Sequence, residues 1–167
     1  MRARYYCPDC LTARDFNGTE TGDFACALTS PSTAKCWGKN DHGQLGNGSV
    51  TDSHVPVAVR APGQHLVAIT AGANHACTLS VLGVVRCWGR NDYGELGDGT
   101  TVESHVPVTV RGLGPGVVSV RAAASGHYVC ALTRYGAVKC WGRNQYGQLG
   151  NGSTTDLHVP TKILTLP

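Results

Sequence analysis

Three histidines of the chain each stand two residues after a carboxylate and directly before a Val-Pro pair. The pairs are Asp52 and His54, Glu103 and His105, and Asp156 and His158. A histidine beside a carboxylate can act as a general base. A catalytic site is built once, however, whereas this pair occurs in every copy of a longer pattern, so we interpret it as a structural contact.

No other arrangement of side chains in the sequence favours catalysis. The chain contains no P-loop, no nucleophile elbow, no paired-carboxylate constellation and no zinc-protease signature. We therefore expect no catalytic residues, no enzymatic activity and no cofactor.

Six cysteines form three pairs, each with a spacing of ten residues. The pairs are Cys26 and Cys36, Cys77 and Cys87, and Cys130 and Cys140. Cysteines that face each other across an antiparallel hairpin lie within disulfide range. We predict one disulfide per pair; the alternative is free thiols that act as small buried core residues. Disulfides favour an extracellular or cell-surface location, and the cytoplasm is the alternative.

Cys7 and Cys10 form a separate Cys-Pro-Asp-Cys motif near the N-terminus. This spacing occurs in zinc knuckles and redox sites. Tetrahedral zinc needs four ligands, and no second CxxC is available to complete the set, so we expect no metal site. We interpret residues 1–21 as a tail that is poorly ordered or divergent, and its lack of an apolar h-region predicts no signal peptide.

The composition limits the classes of partner. Charged residues make up 15% of the chain, below the usual ~25%, and the 22 glycines are close to twice the average, which suits short strands joined by tight turns. The net charge is +3 and the basic residues are scattered, so charge does not favour nucleic acid. No segment approaches the ~18 apolar residues of a membrane span, and we expect no membrane contact.

One pattern of thirteen residues occurs three times. It begins with Cys-Trp-Gly at Cys36, Cys87 and Cys140, and the starts lie 51 and 53 residues apart. A repeat of about fifty residues is typical of propeller blades. We place the three repeats at about residues 22–60, 66–111 and 117–164.

A hairpin is predicted immediately before each Cys-Trp-Gly. In the second copy, a three-residue loop with Gly83 in the left-handed conformation places Cys77 opposite Cys87. The third copy has Gly136 at the same place. Ser32 takes this position in the first copy, which predicts a turn of different type.

An apolar segment precedes the hairpin in two of the three copies. Residues 66–72 and 117–123 are predicted to form a further strand of each blade. Residues 17–22 occupy this place in the first copy and show no apolar alternation. The first blade is therefore expected to be incomplete or divergent.

The pattern Cys-Ala-Leu, turn, Val-Lys-Cys-Trp-Gly-x-Asn-x-x-Gly-x-Leu-Gly, then Val-Pro-Val, resembles the regulator of chromosome condensation repeat. The resemblance covers about residues 22–167. It implies an all-β fold with blades of four antiparallel strands, in a propeller that usually has seven blades. Three repeats would form a partial, open propeller.

Residues that recur in every copy are expected to have a structural role, and residues that vary are candidates for partner binding. The recurring apolar residues are interpreted as structural: Trp37, Trp88, Trp141, Leu45, Leu96 and Leu149. The candidate partner-binding residues come from variable turns and linkers: His42, Tyr93, Tyr146 and His65.

The sequence favours a non-catalytic protein-interaction scaffold whose partner is another protein. Unpaired strand edges at an open end also favour further propeller blades or a second copy as partners. Two alternatives remain: a guanine nucleotide exchange factor fragment acting on a small GTPase, which the resemblance implies, and an extracellular binding or inhibitor protein.

Overall fold

A computed structural model describes residues 23–30, 32–63, 65–114, 116–124 and 126–163, and these residues form only strands, turns and loops. The strands are β1 (Phe24–Ser30), β2 (Thr33–Gly38), β3 (Ser53–Ala58), β4 (Leu66–Ala71), β5 (His75–Ser80), β6 (Val85–Gly89), β7 (Ser104–Thr109), β8 (Val117–Ala122), β9 (Tyr128–Thr133), β10 (Val138–Gly142) and β11 (Leu157–Lys162). The described part of the chain contains no helix long and apolar enough to cross a membrane.

The strands form three antiparallel sheets in which sequence neighbours pair. The first sheet has the order β1-β2-β3, the second β4-β5-β6-β7 and the third β8-β9-β10-β11. The all-β fold and the open arc of propeller blades predicted from the repeats are confirmed. The segment 17–22, on which the expected defect of the first blade rests, lies outside the described residues, as does the Cys7–Cys10 motif.

The predicted hairpin register is observed. Cys77 lies opposite Cys87 in the second blade, and Gly83 has a φ of 78° in the loop between them. In the first blade, the register of β1 and β2 shifts between Leu28 and Ser30, in agreement with the different turn expected where Ser32 replaces glycine.

Each hairpin is joined by a disulfide. The bonded pairs are Cys26–Cys36, Cys77–Cys87 and Cys130–Cys140, all with a Cα–Cα distance of 4.1 Å. The prediction of one disulfide per repeat is confirmed, and the alternative of free thiols at these six positions is wrong.

The core lies between consecutive blades. One apolar cluster joins the disulfide side of the first blade to β4 and Trp88 of the second, and another joins the second blade to β8 and Trp141 of the third. Because each blade is a thin sheet, it is covered only when a neighbouring blade packs against it.

Candidate functional site

A buried asparagine holds each loop that follows Cys-Trp-Gly. In the first blade, the side-chain Oδ1 of Asn40 accepts a hydrogen bond from the backbone N–H of Leu45 at 2.8 Å. Its Nδ2 donates to the carbonyl oxygens of Ser49 and Thr51 at 2.9 and 3.0 Å. Asn91 and Asn144 make the equivalent bonds. The loop is therefore fixed from within by one amide side chain.

A tryptophan of the next blade forms a hydrogen bond with the loop of the first blade and another with the loop of the second. Nε1 of Trp88 donates to the carbonyl oxygen of Gln44 at 2.8 Å, and Trp141 does the same to Glu95. A Cβ atom on Gly46 would lie 2.6 Å from Trp88 Nε1. Glycine is required there because the indole ring occupies the space of a side chain.

Two of the three recurring histidines, His105 and His158, lie at the same joints. A Cβ atom on Gly43 would lie 2.7 Å from His105 Cα, and one on Gly94 would lie 2.6 Å from His158 Cα. The backbone N–H of Gly48 also donates to the His105 carbonyl oxygen at 2.9 Å. These histidines therefore form part of the packing between consecutive blades.

The acid before the histidine has a different partner in different blades. Asp52 and Asp156 accept hydrogen bonds from the backbone N–H of Asn40 and Asn144. Glu103 instead bridges two imidazoles, since its two carboxylate oxygens lie 3.0 Å from His42 Nδ1 and 3.1 Å from His105 Nε2. These hydrogen bonds hold the pKa of Glu103 below its usual value.

Among the described residues, neither end of the arc has the neighbouring blade that covers each internal joint. Leu132 is 39% exposed, whereas its equivalent Leu79 is 1% exposed. A Cβ atom on Gly150 would lie 3.8 Å from Ile163, its nearest neighbour among the described residues, whereas a Cβ atom on the equivalent Gly46 would meet an indole. At the other end, Trp37 is half-buried and His54 is exposed.

A buried titratable cluster lies at the joint between the second and third blades. His75 and Glu95 are both fully buried, and His127 Nδ1 lies 3.3 Å from Glu95 Oε1 without hydrogen-bond geometry. Neither ring nitrogen of His75 has a hydrogen-bond partner. Burial lowers the pKa of His75 to about 4, so the imidazole is neutral at physiological pH.

Three of the four candidate partner-binding residues lie at the same end of their blades. We call this end the loop face: it carries the segments 39–52, 90–103 and 143–156. His42, Tyr93 and Tyr146 lie on it. His65 lies at the opposite end, which we call the hairpin face and which carries the turns 81–84 and 134–137.

Tyr146 and Tyr93 differ in environment on the loop face. Tyr146 is 85% exposed. Tyr93 is partly buried against His127, with 5.4 Å between the ring centroids. The guanidinium of Arg143 lies between the two tyrosines, 5.1 Å from the Tyr93 centroid and 5.9 Å from that of Tyr146.

The roles of Asn40, Arg143 and the His75 cluster are not among those predicted from the sequence. The recurrence of asparagine in all three copies was a usable signal for the loop. The contacts of Arg143 and His75 depend on residues of the neighbouring blade, which spacing along one repeat does not indicate.

Sheets of three and four antiparallel strands that pack face to face through repeated tryptophan joints define an open β-propeller arc. The family model described as the regulator of chromosome condensation (RCC1) repeat matches residues 36–79, 83–132 and 135–167. A second model of the same description matches residues 66–95 and 120–148. The chain belongs to the RCC1 repeat family.

Curated relatives contain this region as a small part of a larger protein. The human E3 ubiquitin-protein ligase HERC2 is 38% identical to the chain over 138 residues. The matched region covers 82% of this chain and 3% of the ligase. It is 35% identical over 128 residues to the ultraviolet-B receptor UVR8 of Arabidopsis thaliana, covering 76% of this chain and 29% of the receptor.

Solved structures agree with the fold. Prp20p from Saccharomyces cerevisiae, described with its binding to Gsp1p and histones, superposes with a TM-score of 0.75 at 26% identity, over 86% of this chain and 36% of Prp20p. Human WBSCR16 superposes with a TM-score of 0.74 at 24% identity, over 85% of this chain and 37% of that one, and this second likeness supports the fold alone.

Proposed function

We propose that the chain is a non-catalytic protein-interaction scaffold whose loop face contacts the partner. The observation that carries the proposal is that recurring and variable residues have different structural roles within each repeat. The residues that recur in all three copies form the loops and the joints between blades. The position two residues after the buried asparagine varies instead, as His42, Tyr93 and Tyr146; Tyr146 is exposed, and His42 and Tyr93 are partly buried.

The chemistry of the loop face supports this proposal. Tyrosine and arginine are enriched in protein interfaces because they combine a large contact area with polar groups. Tyr93, Tyr146 and Arg143 lie together on loops whose backbone is fixed by buried hydrogen bonds. A preformed surface loses little conformational entropy on binding.

The third blade offers a matched pair of residues for the test. Tyr146 and Tyr135 are 85% and 84% exposed, but Tyr146 lies on the loop face and Tyr135 in the turn of the hairpin face. A partner isolated with the immobilised chain would be purified and its Kd measured for Tyr146→Ala and Tyr135→Ala. We expect Tyr146→Ala to weaken binding at least about tenfold and Tyr135→Ala to leave it unchanged. The reverse result would overturn the proposal.

Guanine nucleotide exchange on a small GTPase is the second candidate. It is favoured by the likeness to Prp20p, which is described with its binding to Gsp1p. A nucleotide-release assay separates the two functions, because a scaffold without exchange activity leaves the release rate of the GTPase unchanged even at high protein concentration.

The two ends of the arc, which no described residue covers as a blade would, favour a second kind of partner, a further blade of the same repeat. The two internal joints show what covers this surface: a tryptophan and a histidine from the next blade. A second copy would present the exposed His54 of its own first blade to this surface. The mass of one chain is 17.5 kDa. A larger mass in solution that falls to this value in Gly150→Asn would support self-association. A monomer at every protein concentration would exclude it.

A further inference from the structure

The guanidinium of Arg143 differs electrostatically from its equivalents in the other blades. In the first blade, Lys39 Nζ lies 3.2 Å from Asp41 Oδ2. In the second, Nε of Arg90 donates to Asp92 Oδ2 at 2.6 Å. In each case a carboxylate two residues along the chain neutralises the cation that follows Cys-Trp-Gly.

The third blade has an amide where the other two have a carboxylate. Nε and Nη2 of Arg143 donate to the side-chain Oε1 of Gln145 at 3.1 and 2.6 Å. The amide orients the guanidinium but does not neutralise it. Among the residues that the structure describes, no carboxylate forms an ion pair with Arg143.

Aromatic rings hold this uncompensated charge at the surface. Arg143 lies over the rings of both Tyr93 and Tyr146, and such stacking suits the delocalised guanidinium. These ring contacts and the Gln145 hydrogen bonds restrict the Arg143 side chain before any ligand arrives, which reduces the side-chain freedom lost on binding. We call Tyr93, Arg143 and Tyr146 the Arg143 patch.

We propose that the Arg143 patch binds a carboxylate side chain of an acidic protein segment. This inference rests on the proposed scaffold function and names the chemistry of its partner. A guanidinium and a carboxylate form charge-assisted hydrogen bonds of matching geometry, and the exposed Tyr146 hydroxyl is a further donor for the same group.

The surroundings favour a carboxylate over a phosphate. A phosphate carries about −1.5 to −2 charges and is commonly bound by several cations. The neighbouring Arg90 is already paired with Asp92, and the partly exposed carboxylates of Asp92 and Glu103 add negative charge to the loop face. One uncompensated cation matches one carboxylate.

The test uses two peptides and one substitution that the chain itself suggests. A glutamate-rich peptide and the same peptide with glutamine at every glutamate would be titrated into isotope-labelled protein, following the backbone amide of Tyr146 and the Nε–H of Arg143 by NMR. Gln145→Asp restores the carboxylate found in the other blades, and the Tyr135→Ala protein is the control for the opposite face.

We expect the glutamate peptide to bind at least about tenfold more tightly than the glutamine peptide. Gln145→Asp should remove this preference while the unfolding midpoint stays unchanged, and Asp92→Asn, which releases Arg90, should strengthen binding. Equal affinity for the two peptides, an unchanged preference in Gln145→Asp, or tighter binding of a phosphoserine peptide would overturn the inference.

The outcome is separable from that of the scaffold proposal. If a purified partner is lost on Tyr146→Ala but binds the Gln145→Asp protein normally, the loop face is the interface and the acidic chemistry is wrong. If Tyr146→Ala has no effect on the partner, the scaffold proposal itself fails.

Discussion

The indole Nε1 of Trp88 donates a hydrogen bond to the carbonyl oxygen of Gln44 in the preceding blade, and this contact is fully buried. The same relation joins Trp141 to Glu95. Each joint therefore combines the burial of a large aromatic ring with the satisfaction of a polar backbone group inside the core.

Trp88→Ala should destabilise the chain much more than Trp37→Ala. Removing a fully buried tryptophan costs about 3–5 kcal/mol and also leaves the Gln44 carbonyl oxygen without its donor. Trp37 is only half-buried at the end of the arc, so its loss should cost about 1 kcal/mol. Urea unfolding of the two variants measures the difference. Equal losses would show that the joint does not carry the expected energy.

Gly46→Asn and Gly150→Asn should differ although the two glycines share one backbone conformation. Their φ angles are 65° and 64°, a region that asparagine tolerates, so backbone strain is common to both variants. Only at Gly46 would the new side chain meet an indole. Overpacking there should cost about 1–3 kcal/mol, while Gly150→Asn stays close to wild type in a thermal melt. A large loss at Gly150 would contradict the open end.

Stability should fall as the pH drops from 6.5 towards 4, because of His75. Its pKa in the folded chain is lowered from 6.5 to about 4 by burial, so between these values the unfolded chain binds a proton that the folded chain excludes. The stabilisation is therefore complete above pH 6.5 and is lost as the pH falls, by on the order of 3 kcal/mol.

His75→Phe provides the matched variant, since Phe24 occupies the equivalent position in the first blade. We expect the variant to lose most of the pH dependence of its unfolding free energy between pH 6.5 and 4. An unchanged slope would show that His75 is not the group responsible.

The denatured, unreduced chain should expose no more than two thiols. The chain has eight cysteines, and six of them form disulfides, which leaves Cys7 and Cys10. Replacing Cys77 and Cys87 together by serine should cost about 3 kcal/mol in the loop-closure model. Thiol titration with and without reductant tests the first statement, and more than two reactive thiols without reductant would contradict it.

The blade itself could be predicted from the sequence because its signals are local. Glycine at residue 83 selects the loop, the loop sets the register, and the register brings Cys77 opposite Cys87. The apolar segments before the hairpins likewise form β4 and β8.

Contacts between blades were harder to predict because they join residues about fifty positions apart. The sequence shows that Gln145 replaces an aspartate, but its effect depends on the position of Arg143 between Tyr93 and Tyr146. The opposite placement of His65 and Tyr146 follows from the strand directions, and linear spacing alone does not reveal it.

Hydrogen exchange of the chain with and without a purified partner measures whether the loop face is the interface. If the loop face is the interface, backbone amides in segments 90–95 and 143–148 should exchange more slowly in the complex, with no change in the hairpin turn at 134–137. Protection confined to 134–137, or no protection in the loop segments of a saturated complex, would contradict it.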